Sequence, residues 1–175
     1  MTHLRMHLSA IALGAATLLA SLPASAGWQV HQGVGMKFHV PDNWQTTTQN
    51  DVVVSHPPPN DRNAAVALEF VAIDDGAREA RQVEQAMMAK LAQKFTNVKV
   101  TDRPKPVHQN GLDGMMFMGS AVDRQGKVIR WASAGLNSPR TDQKGIIVMA
   151  VGTPAAFRAH SARVTHSLNS IAPAR

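Results

Sequence analysis

Beyond a first, almost uniformly apolar segment, the chain breaks into short hydrophobic runs punctuated by Pro, Gly and Asp/Asn clusters. Such punctuation separates strands by turns. Strands are predicted at Trp28–Gln32 and Met36–Val40, joined near Gly33-Val34-Gly35. Pro41-Asp42-Asn43-Trp44 reads as a turn, because Pro presets φ and Asp/Asn satisfy local backbone groups. Asp51–Ser55 carries a β-branched triplet, Val52-Val53-Val54. Pro57-Pro58-Pro59-Asn60 cannot continue a ladder and reads as an exposed loop. Ala64–Ile73 is a longer strand.

The period then changes. Ala80, Val83, Met87, Leu91 and Phe95 recur at steps of three and four, with Arg78, Arg81, Gln85 and Gln93 opposite. That stripe predicts an amphipathic helix over about Ala77–Phe95, capped by Asp74 or Asp75. Asn97–Arg103 is a strand ended by Pro104 and Pro106. Leu112–Val122 and Lys127–Leu136 form a hairpin around Asp123-Arg124-Gln125-Gly126. Lys144–Val151 is the last predicted strand. Thr153 then Pro154 is a helix start, with Pro at the position where a missing N–H costs nothing. Phe157, Ser161, Val164, Leu168 and Ile171 share one face of that closing helix, and Pro173 ends it.

Two strands decide the architecture. Met115-Met116-Phe117-Met118 and Ile146-Ile147-Val148-Met149 are apolar on both faces, whereas a half-solvated sheet would alternate. The central strands are therefore covered twice, and the two helices are the expected covers. Short connections make neighbouring strands antiparallel. The fold class is α+β: a mainly antiparallel sheet sandwiched between helices, with no linker or internal repeat to divide it.

The strand Met36-Lys37-Phe38-His39-Val40 followed by Pro41-Asp42-Asn43-Trp44 resembles the opening of PsbP-like domains. Those are related in fold to Mog1 and to the bacterial DcrB proteins. The order of elements after it is similar over most of Trp28–Ala172. The resemblance implies an α-β-α sandwich that acts as an accessory or assembly factor rather than as an enzyme. The lipoprotein cysteine typical of DcrB-type proteins is missing here, and Mog1's partner is a cytosolic GTPase. Fold and broad role carry over; no binding residue does.

The first segment is read as an address. Arg5, with His3 and His7, forms a positive start, Leu8–Leu22 is uncharged and apolar, and Ala24 and Ala26 are small residues at cleavage positions. Cleavage is expected after Ala26, leaving 27–175 as one exported domain, periplasmic or secreted. The apolar run is shorter than the roughly 20 residues that span a bilayer. No later run approaches that length, so no transmembrane segment is expected in the mature chain.

Export changes the meaning of the charge. The chain has 18 Lys+Arg against 12 Asp+Glu, a net charge of +6. Nucleic acid is not an expected partner outside the cytosol, and no glycine-rich phosphate loop is present. The charges are interleaved, as in Arg78, Glu79, Arg81 and Glu84. That describes a mixed solvated surface, capable at most of weak association with anionic surfaces.

There is no Cys, which removes disulfides, thiolate metal sites and a thiol nucleophile. His160 and His166 are six residues apart and point about 120° apart on a helix. His31 and His39, on separate strands, could converge on a metal. Met115, Met116 and Met118 are soft donors of the kind that hold Cu(I), although Met is also a gap-filling core residue. No serine carries a nucleophile-elbow pattern. Glu69 is an acid in an otherwise apolar strand, best explained by a sheet edge or end. Trp44 is expected to close one end of the core. Trp131, beside Arg130, is the candidate protein-binding anchor if exposed.

No cofactor and no catalytic residue is indicated. The expected function is that of an exported, non-catalytic accessory or assembly protein binding another envelope protein. The alternative is a small-ligand or copper-binding module, and after it a hydrolase. An accessory role predicts an apolar surface patch; a ligand module predicts polar side chains converging in a pocket.

Overall fold

The computed structural model describes residues 27–49, 52–73, 80–137 and 145–174. The segment read as an address with its expected cleavage after Ala26, the expected Asp74/Asp75 cap and the residues 138–144 before the last long strand lie outside these. Among the described residues every strand pairing is antiparallel, as the short connections require.

The strands form two sheets. A small one takes β1 (Gly27–His31), β2 (Met36–Val40) and, on the far side of β2, the two-residue β11 (Ala172–Pro173). The large one runs in the order β3 (Gln45–Gln49), β4 (Val52–His56), β5 (Val66–Ile73), β10 (Gly145–Gly152), β9 (Val128–Asn137), β8 (Leu112–Val122) and β6 (Thr96–Val100). Strand β7 (Lys105–Gln109) also pairs with β8. The helices are α1 (Ala80–Lys94), α2 (Pro154–Ala159) and α3 (Ser161–Asn169).

Of the two double-sided apolar strands, β10 lies in the middle and sends alternate residues to two cores, whereas β8 stands beside the edge strands β6 and β7 and sends Met115 and Phe117 to one. On one face Phe117, Trp131, Ile147 and Met149 pack with Met87 and Leu91 of α1. On the other face Phe70, Leu136, Ile146 and Val148 pack with Met36, Phe38 and Val40 of β2 and with Ala156 and Val164 of α2 and α3. The second cover is thus a helix pair together with a three-stranded sheet, not a helix alone. The Phe38 and Phe70 rings, stacked 3.7 Å apart at 12°, bind the small sheet to the large one.

The departures from the expected elements have local causes. Strand β3 (Gln-Thr-Thr-Thr-Gln) lies at a sheet edge with only Thr46 buried, so it carries no hydrophobic pattern. Strand β7 contains Pro106, which an edge strand tolerates because its N–H side needs no ladder partner. The expected single closing helix is divided at His160, whose φ of −105° and ψ of 11° break the run into α2 and α3. The helix start holds as read: Thr153 Oγ1 accepts from the Ala156 N–H at 3.3 Å and Pro154 stands in the first turn. Glu69 is not at an edge: β5 is flanked by β4 and β10, and Lys94 of α1 caps the carboxylate with Nζ–Oε1 2.5 Å.

Candidate functional site

The structure separates the residues that sequence grouped as possible ligands. Met115 packs into the core under α1, while Met116 and Met118 point to the opposite face of β8 and are half-buried. The three thioethers therefore do not form one donor set. His31 is buried on the inner face of the small sheet opposite Met36. His39 lies on the outer face opposite Trp28, so these two do not converge either. Among the described residues no group of three or more His, Asp or Glu could hold a metal ion.

Trp131 is a correction. It is 2% exposed, lies under α1, and donates its indole N–H to the Ser120 carbonyl at 3.2 Å. A side chain so placed is core and cannot anchor a partner. Arg130 is exposed, but it projects from the other face of β9 and shares no surface with Trp131.

The exposed aromatic is Trp28 instead. Strand β1 pairs only with β2, and its outward residues Trp28 and Val30 are 60% and 46% exposed. Lys37 Nζ stands 5.4 Å from the Trp28 ring centroid. The His39 ring meets Trp28 edge-on at 5.8 Å and His166 at 5.0 Å, while the His39 N–H donates to Ser170 Oγ at 2.7 Å. The backing of the patch is therefore fixed by β2 and by the end of α3. The sequence marks a strand at Trp28–Gln32 but gives no sign of which face meets water, because that depends on the small sheet standing apart.

A second feature is a cleft of about 270 Å³ where three segments meet. The first is the turn after β2: the Trp44 N–H donates to the Pro41 carbonyl at 3.1 Å, and Asn43 takes a φ of 66°, which Asn tolerates. The second is the proline loop after β4: the Asp61 N–H donates to the Pro58 carbonyl at 3.0 Å, and Asp61 Oδ1 accepts from the Asn63 N–H at 2.8 Å. The third is the α2–α3 joint, which brings His160 and, one turn on, Arg163.

Trp44, which lines the cleft, is 4% exposed and meets the 3% exposed ring of His160, itself outside the cleft lining, edge-to-face at 5.5 Å. His160 Nδ1 lies 3.3 Å from Arg163 Nη1. A guanidinium only donates, so in this contact Nδ1 accepts and Nε2 is the nitrogen left to carry hydrogen. That Nε2 stands 3.4 Å from Asp61 Oδ2, longer than a normal N–H···O bond, and has no hydrogen-bond partner among the described residues; the buried Trp44 indole N–H has none there either. Asp42, Asn43, Asn60 and Asp61 supply carbonyl and carboxylate oxygens around the rim. Among the described residues no Ser or Thr hydroxyl lines it. The turn and the loop are legible from their prolines. Their meeting with His160 is not, since it depends on a helix break more than a hundred residues away.

The backbone has known counterparts. A solution structure of cyanobacterial PsbP from Synechocystis superposes with a TM-score of 0.60 at 13% identity, over 91% of this chain and 97% of that one. The Ran-binding protein Mog1p of Saccharomyces cerevisiae gives 0.56 at 7% identity, over 86% and 97%. The chain has the PsbP/Mog1-like fold. LpqN, involved in cell envelope biogenesis of Mycobacterium tuberculosis, shares it with a TM-score of 0.54 at 14% identity, over 85% of this chain and 90% of that one. No protein-family model matches the sequence. No curated protein matches it either. The PsbP/Mog1-like fold spans nearly the whole of each of these structures, so the likeness is one of complete domains. Among the described residues no helix is long and apolar enough to cross a membrane.

Proposed function

We propose that the protein is an exported, non-catalytic accessory factor that binds another envelope protein through the outer face of β1 and β2. The observation that carries this reading is the exposure of Trp28 and Val30 side by side on that face, at 60% and 46%. Aromatic side chains with little conformational freedom are the usual energetic anchors of protein interfaces. Lys37 beside the ring adds a polar rim, as interfaces have. Two proteins of the same fold support the role: one is described as Ran-binding and another as involved in cell envelope biogenesis.

The test is photo-cross-linking in the native cells. A photoreactive residue placed at Val30 should trap one reproducible envelope protein, and Trp28→Ala should abolish that product while leaving the thermal midpoint unchanged. Recovery of the same products from the Trp28→Ala protein would reject the surface. The N-terminus of the recovered chain should begin at Gly27; an intact Met1 would reject export by cleavage after Ala26.

A further inference from the structure

The cleft between the Pro41–Trp44 turn, the Pro58–Asp61 loop and the α2–α3 joint is chemically polarised. One buried donor of a lining residue, the Trp44 indole N–H, has no acceptor among the described residues. A buried donor left unmatched costs about 1–3 kcal/mol. Arg163 lines the cleft as well and brings a guanidinium that presents planar, paired donors suited to a carboxylate. Opposed to these are two carboxylates, Asp42 and Asp61. Asp61 Oδ1 is engaged by the Asn63 N–H, but Oδ2 has only the long contact to His160.

Simple ligands fit this arrangement poorly. Among the lining residues Asp42 and Asp61 outweigh Arg163 by one charge, so a plain anion would meet net repulsion. A plain cation would satisfy the carboxylates and leave the buried indole N–H and the guanidinium unmatched. A neutral sugar commonly needs an open aromatic face to lie on, and Trp44 offers none because it is 4% exposed. A molecule with an anionic acceptor at one end and a cationic donor at the other satisfies both sides. At about 270 Å³ the cleft lies just under the size range of ordinary ligand pockets, about 300–1,000 Å³, which favours a small guest.

We propose that this cleft binds a free α-amino acid as its zwitterion. Its carboxylate is taken by Arg163 and the Trp44 indole N–H, and its ammonium by Asp61 and Asp42. The site shares no lining residue with the Trp28 face, so its failure and that of the docking surface are read separately.

The test is isothermal titration of the purified exported domain with glycine, L-alanine, acetate, methylammonium and glucose. Glycine or L-alanine should bind saturably, and acetate and methylammonium should each bind at least about tenfold more weakly, the equivalent of one lost charged contact. Arg163→Gln and Asp61→Asn should each weaken the zwitterion by a similar factor. Asp61→Asn keeps a side-chain oxygen as the acceptor for the Asn63 N–H, and Arg163→Gln keeps a polar side chain at the cleft wall; their thermal midpoints without ligand check that the fold is intact. Trp44→Phe, which removes only the indole N–H and its ring, should also weaken binding. Absence of saturable heat from either amino acid at about 10 mM, well above a millimolar dissociation constant, would overturn the proposal. So would glucose binding where the amino acids do not, acetate binding as tightly as glycine, or wild-type affinity in both Arg163→Gln and Asp61→Asn.

Discussion

Gly119 and Trp131 face each other across the β8–β9 pair so closely that a Cβ on Gly119 would fall 2.2 Å from Trp131 Cζ2 and 2.0 Å from the Lys99 carbonyl oxygen. Only a residue without a side chain lets the indole lie flat over β8 while β6 pairs on the other side. Gly119→Ala is expected to destabilise the fold by about 1–3 kcal/mol, the usual range for overpacking a well-filled core. Trp131→Ala should lose about 3–5 kcal/mol. In the Trp131→Ala background the ring clash is gone but the Lys99 clash remains, so the Gly119→Ala effect should shrink without vanishing. Urea midpoints of the four proteins measure this; an unshifted midpoint for Gly119→Ala alone would show that β6 yields freely.

Gly119 also shows where sequence reading stops. The apolar run Met115–Met118 announces a strand covered on both faces, but only Met115 and Phe117 pack into a core, while Met116 and Met118 on the other face are half-buried. Whether Trp131 is anchor or core depends on which face α1 covers, and that is decided by strand register across β9. The same limit applies to the cleft. Pro41–Trp44 and Pro57–Asn60 announce their turns, because Pro and Asn act on their own backbones. His160 carries no such mark: its burial beside Trp44 depends on packing at long separation. The Asn110-Gly111 pair was a legible signal that the polar sequence before it obscured, since Pro104 and Pro106 argue against any strand other than an edge one.

Lys94 and Glu69 join α1 to the central strand β5 with unequal exposure, their side chains 42% and 13% accessible. The carboxylate is the more buried partner, so removing the lysine should hurt more than neutralising the acid. Lys94→Ala is expected to lose about 1 kcal/mol, discounted for the open lysine side. Glu69→Gln, which keeps an acceptor of the same shape, should lose less. Raising the salt to about 1 M should narrow the gap, because the pair is partly solvated. Equal losses in the two variants at low salt would mean that the contact is incidental.

The Phe38–Phe70 stack is the ring pair that joins the small sheet to the large one, beside Met36 and Val40 of β2. Phe38→Ala should lose about 3–5 kcal/mol, and Phe38→Leu less than about 1.5 kcal/mol because most of the volume is kept. Native-state hydrogen exchange should show β1 and β2 amides losing protection first in Phe38→Leu. If protection falls evenly across both sheets, the small sheet is not a separable unit.

Asn110 does two jobs at once. With Gly111 it forms the two-residue turn between paired Gln109 and Leu112, at φ values of 49° and 76°, the signature of the hairpin turn that Asn-Gly favours. Its Nδ2 also donates to the Asn169 carbonyl at 3.0 Å and the Ile171 carbonyl at 2.8 Å, holding the end of α3 against the β7–β8 hairpin. Two substitutions separate these roles. Asn110→Gly keeps the left-handed backbone and loses only the tie, an expected loss of about 1–2 kcal/mol for two partly exposed bonds to carbonyls. Asn110→Ala loses the tie and also keeps a Cβ in the left-handed region without the short polar side chain by which Asn tolerates it, a further loss that Gly avoids. The order of thermal midpoints should be wild type, then Asn110→Gly, then Asn110→Ala. Because Ser170 Oγ holds the His39 N–H just beyond α3, loss of the tie should also loosen the backing of Trp28, visible as a change in its solvent accessibility to a fluorescence quencher. An Asn110→Gly protein as stable as wild type would assign the residue to the turn alone.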